Sequence, residues 1–377
     1  MAETFVSANL ILPGTYIRVN AEGLIGVRGI SAGNIGIVGE TSAANAGVTR
    51  TLSAAAEAVE DFGAPTVAGN ALNLTAQIGE LYRNGARIVF ARGVEDSTNQ
   101  TELTNAFNEL VKEDVQILVL PEVPTATAAT VLGPVIETSE NNGQDLIGVI
   151  GADGADASTI EGQALDNDRL ILAAPGYFVF NPADPETPMS LPGNYIAGPM
   201  AALVSSLAPH ISPTNKVLVG VGDLTQRFSY GERVGLVQNR IVALEGRNGT
   251  RVVRGLTTED GGGFSQITTR RIVDFAKAGI RQVSNGFIGR LNNERVRAAL
   301  QSALDGFLTT MLVDEQLTDY RLEVTATRQD EINGRAIVNV LLQPTFSIDF
   351  VAVTIGASID IGVHGTLSPL LERDGDG

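Results

Sequence analysis

Short apolar runs alternate with longer amphipathic stretches through the first half of the chain. The runs Ile35–Val38, Ile88–Ala91, Gln116–Leu120, Leu146–Ile150 and Leu170–Ala173 have the length and continuity of strands buried on both faces. Between them, Leu74, Ile78, Leu81 and Tyr82 fall at i, i+4, i+7 and i+8, one face of a helix that Gly85 can end. Leu103, Phe107, Leu110 and Val111 repeat that spacing. Strands separated by amphipathic helices predict a mainly parallel, helix-covered sheet. A further helix is expected near Tyr195–Leu207 and a strand at Val217–Val221.

The rhythm then changes. Two long helical stretches, Ser265–Gln282 and Asn292–Leu312, come in succession, and strongly alternating segments follow at Tyr320–Thr327, Ala336–Leu342 and Phe346–Ile355. In the first of these, Leu322, Val324 and Ala326 face one way and Arg321, Glu323 and Thr325 the other. The expected fold class is therefore α/β and α+β: a helix-covered, mainly parallel sheet domain, then an α+β C-terminal domain, with extended strand arms at both ends. Four prolines in Asn181–Pro192 predict a loop or domain junction there. The N-terminal twenty residues carry Phe5, Leu10, Ile11, Leu12, Tyr16, Ile17 and Val19 around a Pro13–Gly14 turn; so apolar an end must be buried against something. The expected organisation is an arm at 1–20, a sheet domain at 21–215, an assembly domain at 216–345, and a C-terminal arm and tail at 346–377.

Composition narrows the possibilities. With 44% hydrophobic and 18% charged residues the 377-residue chain is ordinary globular material. No apolar run approaches the ~18 residues of a membrane span, and no secretory leader is apparent, so membrane insertion is not expected. The absence of cysteine removes disulfides, thiol nucleophiles and thiolate-bound metals. A net charge of −17 argues against nucleic acid as a partner. From Arg240 to Arg297, however, eleven basic residues stand against five acidic ones. Such a stretch is either a set of solvated faces or a surface that meets an acidic partner.

Candidate chemistry is sparse. His210 and His364, the only histidines, lie far apart, so a histidine-based triad or metal site is not expected. Gly33, Gly36 and Gly39 are spaced three apart within or beside a strand, unlike the dinucleotide fingerprint, and suggest a backbone constraint instead. The carboxylates of Asp153, Asp156, Asp374 and Asp376 sit in turns without calcium-loop spacing. Gly261–Gly263 looks like a junction ahead of a helix. No catalytic residue, cofactor or metal is expected.

An ordered series of segments resembles the phage tail sheath family, which is shared with R-type pyocins and other contractile injection systems. It begins with LPGTYIRV (Leu12–Val19), GIVGETS (Gly36–Ser42) and DFGAP (Asp61–Pro65), and continues with ALNLTAQIGELYRNGARIVFARGV (Ala71–Val94). VQILVLPEVP (Val115–Pro124), DRLILAAPG (Asp168–Gly176), YIAGPMAAL (Tyr195–Leu203), NGTRVVRGLTT (Asn248–Thr258) and FSQITTRRIVDFAKAGIR (Phe264–Arg281) keep the family's order. The family's Phe-Phe pair is absent beside Tyr82, and Ala86 replaces its usual second glycine.

The resemblance implies a helical homopolymer of hexameric rings around an inner tail tube protein, bounded by baseplate and tail terminator proteins. It places the chain in a virion tail or phage-tail-like particle assembled in the host cytoplasm. Contraction would drive the tube through a target cell envelope. Terminal arms would add strands to neighbouring subunits, with Phe5, Leu10, Thr15, Tyr16, Ile17, Arg18 and Val19 at one end and Phe346, Ile348, Phe350, Val351, Val353 and Ile355 at the other. Arg270, Arg271, Lys277 and Arg281 are then candidates to face an acidic tube. Another ring- or tube-forming tail protein, or an enzyme on a doubly wound domain, is the alternative.

Overall fold

The computed structural model describes residues 31, 33–180, 186 and 188–352. The expected N-terminal arm at 1–20, Val353, Ile355 and His364 therefore lie outside the described residues. Along the chain run β1 (Ile35–Glu40), β2 (Thr49–Leu52), α1 (Ala55–Phe62), a minimal hairpin of β3 (Val67–Ala68) and β4 (Ala71–Leu72), and α2 (Leu74–Arg83). Next come β5 (Val89–Val94), α3 (Gln100–Leu110), β6 (Ile117–Val119), α4 (Thr125–Asn141), β7 (Ile147–Gly151), α5 (Ala157–Glu161) and β8 (Leu170–Ala174). They are followed by β9 (Tyr177–Val179), β10 (Met189–Leu191), α6 (Ala197–Ser206), α7 (Tyr230–Gln238), β11 (Ile241–Gly246) and β12 (Thr250–Val252). The remainder is α8 (Ile267–Asn285), α9 (Glu294–Val313), β13 (Leu317–Thr325), α10 (Arg328–Ile332) and β14 (Ile337–Pro344).

Eight strands form one sheet in the order β12-β11-β8-β7-β6-β1-β5-β2, with parallel pairing from β5 to β11 and an antiparallel strand at each edge. Side chains alternate between its faces as period-two geometry demands. Ile35 and Ile37 of β1 belong to the core shared with α1, α2 and α6, whereas Val38 belongs to the core shared with α3, α4, α5 and α7. The central strands are buried on both faces, which is why they read as continuous apolar runs. Helix starts are set locally: Asn73, Asn99, Asp156 and Asn293 each accept a backbone N–H at an N-cap, and Ser229 with Glu232 forms a capping box.

The glycines around β1 are there for close packing. A methyl at Gly36 would meet Leu110 and Val115 side chains at under 3 Å, and one at Gly33 would meet the Ser205 carbonyl oxygen at 2.4 Å. β1 leads into β2 and not into a helix, so the phosphate-loop geometry is missing. Gly85, with φ of +99°, sits just past the end of α2, as expected of a helix-ending glycine.

Three expectations need correction. Val217–Val221 is not a strand; only an isolated bridge from Val217 to Arg251 forms there. The Pro-rich segment is not loop throughout: Met189–Leu191 forms a three-residue strand, β10, paired with β9 in a two-stranded sheet of their own. The expected boundary at 215/216 cuts the sheet body, because β11 and β12 complete the large sheet. The helices and hairpin that follow have their own core, built from Ile272, Val273, Ala276 and Ile280 of α8, Leu300, Leu304, Phe307, Leu308 and Met311 of α9, and Leu317 and Leu342 of the strands. A separate unit begins at Ile348, and its described residues, through Ala352, contain no strand.

Candidate assembly interface

The basic stretch is resolved by α8. This helix carries apolar side chains on one stripe, facing α9 and the hairpin, and cations on another. Those cations point at carboxylates of the sheet body. Arg270 reaches Asp168 at 2.6 Å and its own helix neighbour Asp274 at 2.6 Å. Lys277 reaches Glu140 at 2.6 Å and also contacts Asp145, and Arg281 reaches Asp145 at 2.5 Å. From the sheet side Arg169, just ahead of β8, contacts Glu140 at 2.5 Å, Asp145 at 3.3 Å and Asp274 at 3.0 Å, and donates to the Leu146 carbonyl. Four cations thus meet four carboxylates in a neutral cluster, buried at Asp145 and Asp274 and open to solvent at Glu140 and Asp168, the arrangement that makes burial of charge tolerable. Burial alone would push the Glu140 carboxyl up, but Arg169 and Lys277 outweigh it and hold the group down at about 2.

Arg271 takes a different place on the helix. It is buried, and donates to the carbonyls of Leu207 and Ala208 at the end of α6. Burial lowers its pKa to about 10. The expectation that Arg270, Arg271, Lys277 and Arg281 face an acidic tube is therefore corrected. The side chains of Arg270 and Lys277 are only 5% and 3% exposed, and their charges are met by this chain's own acids. Sequence reasoning missed Glu140, Asp145 and Arg169 as their partners, although Asp168-Arg169 directly ahead of an apolar strand was a visible signal.

The hairpin β13–β14 is the exposed feature of this part of the molecule. It pairs antiparallel from Leu317↔Pro344 to Thr325↔Ile337. Its inward face, with Tyr320, Leu322, Val324, Val338 and Val340, packs against the α8–α9 core only partly buried. Among the described residues it is a two-stranded sheet, so each strand has one edge without a ladder. Edges of eight and nine residues with half-covered apolar neighbours are templates for further strands. Beyond β14 the chain passes the start of α8, where the Ser347 N–H donates to Gln266 at 3.2 Å. Phe346, Ile348, Phe350 and Val351 are each more than 60% exposed.

At the other end of the molecule, the carboxyl ends of β1 and β6 form the switch-point crevice where doubly wound folds hold ligands. Here the chain's own side chains occupy it. Glu122 accepts the Glu40 N–H at 2.7 Å and a hydrogen from the Gln77 amide, and Glu40 in turn accepts from Ser97. Burial pushes the Glu122 carboxyl up to about 7. His210 is half-buried at the end of α6, far in sequence from these groups, and burial lowers its pKa. Asp156 and Asp153 serve turns: Asp156 caps α5, and Asp153 accepts from the Thr125 N–H at 3.2 Å.

Residues 259–358 match the family described as the phage tail sheath C-terminal domain. Over that stretch the chain is similar to this domain family. The matched stretch contains α8, α9, β13, α10 and β14, and so the hairpin with open edges. The fold of the whole chain agrees with it. The helical sheath of the anti-feeding prophage in its contracted state superposes with a TM-score of 0.71, over 92% of this chain and 99% of that one, at 19% identity. A chain of the six-fold symmetrised anti-feeding prophage baseplate gives 0.73 over 93% and 99%, at 18% identity. The contracted sheath complex of PVC, an extracellular contractile injection system, gives 0.72 over 93% and 98%, at 16% identity. At such identities the likeness is one of fold. No curated protein matches the chain by sequence.

Proposed function

We propose that the chain is a structural subunit of a contractile tail sheath. It polymerises as stacked six-membered rings into a helical tube around an inner tail tube, between a baseplate and a terminator, and its contraction drives the inner tube through a cell envelope. The observation that carries this is the β13–β14 hairpin, a helix-backed sheet with two open edges inside the sheath domain. The apolar segments at Thr15–Val19 and Phe346–Ile355 suit strand addition to the edges of neighbouring copies. The switch-point crevice, filled by Glu122 and Gln77, favours this role over an enzyme of the same architecture.

Energetics explain why such segments have to be apolar. Ordering ten residues costs on the order of 10–20 kcal/mol of backbone entropy. Some six ladder bonds at ~1 kcal/mol each fall short of that. Burial of four or five side chains at ~1.5–3 kcal/mol each brings the sum near balance. Strand exchange between subunits then permits rigid-body rotation and sliding without loss of connection.

Negative-stain microscopy of the purified chain tests the proposal: long striated tubes are expected, and dispersed globules count against it. A variant lacking residues 1–20 is expected to melt like the full chain yet form no tubes. Normal tubes from that variant would overturn the strand-exchange role of the N-terminal segment.

A further inference from the structure

The turn between α8 and α9 and the tip of the β13–β14 hairpin are tied into one corner. The Asn292 side chain donates to the Arg335 carbonyl at 2.7 Å, and Arg297 reaches both Asn292 and Glu331 at 2.9 Å. Around these bonds stand Ile288, Leu291 and Ile332, which are 46%, 78% and 67% exposed. Large aliphatic side chains gathered at one exposed corner mark a surface that meets a partner. Beside them Arg290 and Arg295 are exposed, and neither has an ion pair among the described residues. Arg290 stacks on the Phe287 ring at 4.7 Å. An apolar centre flanked by uncommitted guanidinium groups has the composition of a contact surface, and its charge selects an acidic partner.

The chain itself, of net charge −17, carries such a surface. The loops at the carboxyl ends of the adjacent strands β8, β7, β6, β1 and β5 hold Glu95, Asp96, Glu122, Asp153 and Asp156, and no lysine or arginine. Glu40, at the end of β1, adds to them, and Glu40, Glu95, Asp96 and Asp156 are exposed. The corner belongs to the other end of the sheet, because α8 is fixed by Asp168 and Asp145, which stand ahead of β8 and β7. We propose that the α8–α9 corner of one copy docks on the acidic carboxyl-end loops of a second copy. The two surfaces differ and lie at opposite ends, so the contact is heterologous, the kind that builds open helical arrays. It deepens the sheath reading and rests on it for the stacking of copies in a tube. Copies are then held by charge and apolar contact at their ends, in addition to strand addition at the hairpin edges.

Arg290→Glu with Arg295→Glu reverses the corner's charge at exposed positions, so this variant is expected to melt like the parent. Self-association of the full chain is read by sedimentation velocity, which registers dimers and short oligomers whether or not tubes form. The reversed variant is expected to need at least about tenfold more protein to associate, since like charges are then set against each other. Lys216→Glu with Arg227→Glu, two exposed cations of the sheet body, makes the same change in net charge and is expected to leave association close to the parent's. Adding Glu95→Lys and Asp96→Lys to the reversed corner restores both the net charge of −17 and the attraction, and is expected to recover association. Association unchanged by reversal, an equal loss in the Lys216 and Arg227 control, or no recovery on the swap each overturns the proposal. The sheath reading fails separately. Tubes that persist with a reversed corner strike only this contact, whereas oligomers that reversal dissolves, in a chain that forms no tubes, strike only that reading. A parent that stays monomeric overturns both.

Discussion

Arg169 touches three carboxylates and a carbonyl while only 4% of its side chain is exposed. Removing such a hub leaves buried charges without a counter-ion, which costs about 3–5 kcal/mol. Arg169→Met is expected to lower the thermal midpoint by several degrees in calorimetry. Lys112→Ala breaks an exposed pair with Glu109 and should stay within ~0.5 kcal/mol of the parent; equal losses would mean that the cluster is no more than a surface pair. Titration separates two other carboxylates. Glu140, held near 2, contributes stability that is present above its ordinary value of 4.5 and lost as pH falls towards 2. Glu122, pushed up to about 7, behaves oppositely: its contribution is complete below 4.5 and declines as pH rises through 7. Glu122→Gln is therefore expected to raise stability at pH 8, by at most on the order of 3 kcal/mol, and to change little at pH 4. A melting curve shifted equally at both pH values would contradict that assignment.

Among elements, the hairpin makes the sharpest claim. Hydrogen exchange in the free chain should find alternate amides of Leu317–Thr325 and Ile337–Pro344 fast, since one edge of each strand lacks a ladder among the described residues. Assembly is expected to protect them; unchanged exchange on polymerisation would rule out strand addition at this site. Elements were legible in the sequence where periodicity was strong. β1, β5, β6, β7 and β8, with α2, α3, α8 and α9, follow directly from apolar spacing, whereas β11, equally buried and parallel, was not predicted. α4 was not, because TATAATVLGPVIETSEN has few large apolar residues and carries Pro134 inside the helix. Val217–Val221 has strand composition but finds no partner beyond one bridge, a case of tertiary context overriding propensity. The fate of the α8 cations could not be read locally either. Lys277 and Glu140 stand 137 positions apart, and nothing in FSQITTRRIVDFAKAGIR tells inward from outward.

For the whole molecule, charge sets the terms of assembly. Subunits of net charge −17 repel one another, and added salt screens that repulsion. Raising ionic strength from ~0.01 to ~0.15 M is expected to lower the concentration at which tubes form, as measured by light scattering. The ion cluster, whose Arg169, Arg270, Lys277 and Asp145 are buried, is screened far less, so the melting temperature of the free chain should move little over that range. A large fall in melting temperature would place the cluster in solvent.

Helix α8 has one stripe set into the sheet body and the other into the hairpin's core. If the chain is the sheath subunit proposed above, a pull delivered to β13–β14 by a neighbouring copy reaches the sheet in large part through this helix. A joint made of several short, mutually neutralised contacts resists shear in every direction, because no one bond bears the load. The compliance needed for the stroke is then displaced outward, to the seams between copies, and each subunit turns as one stiff block.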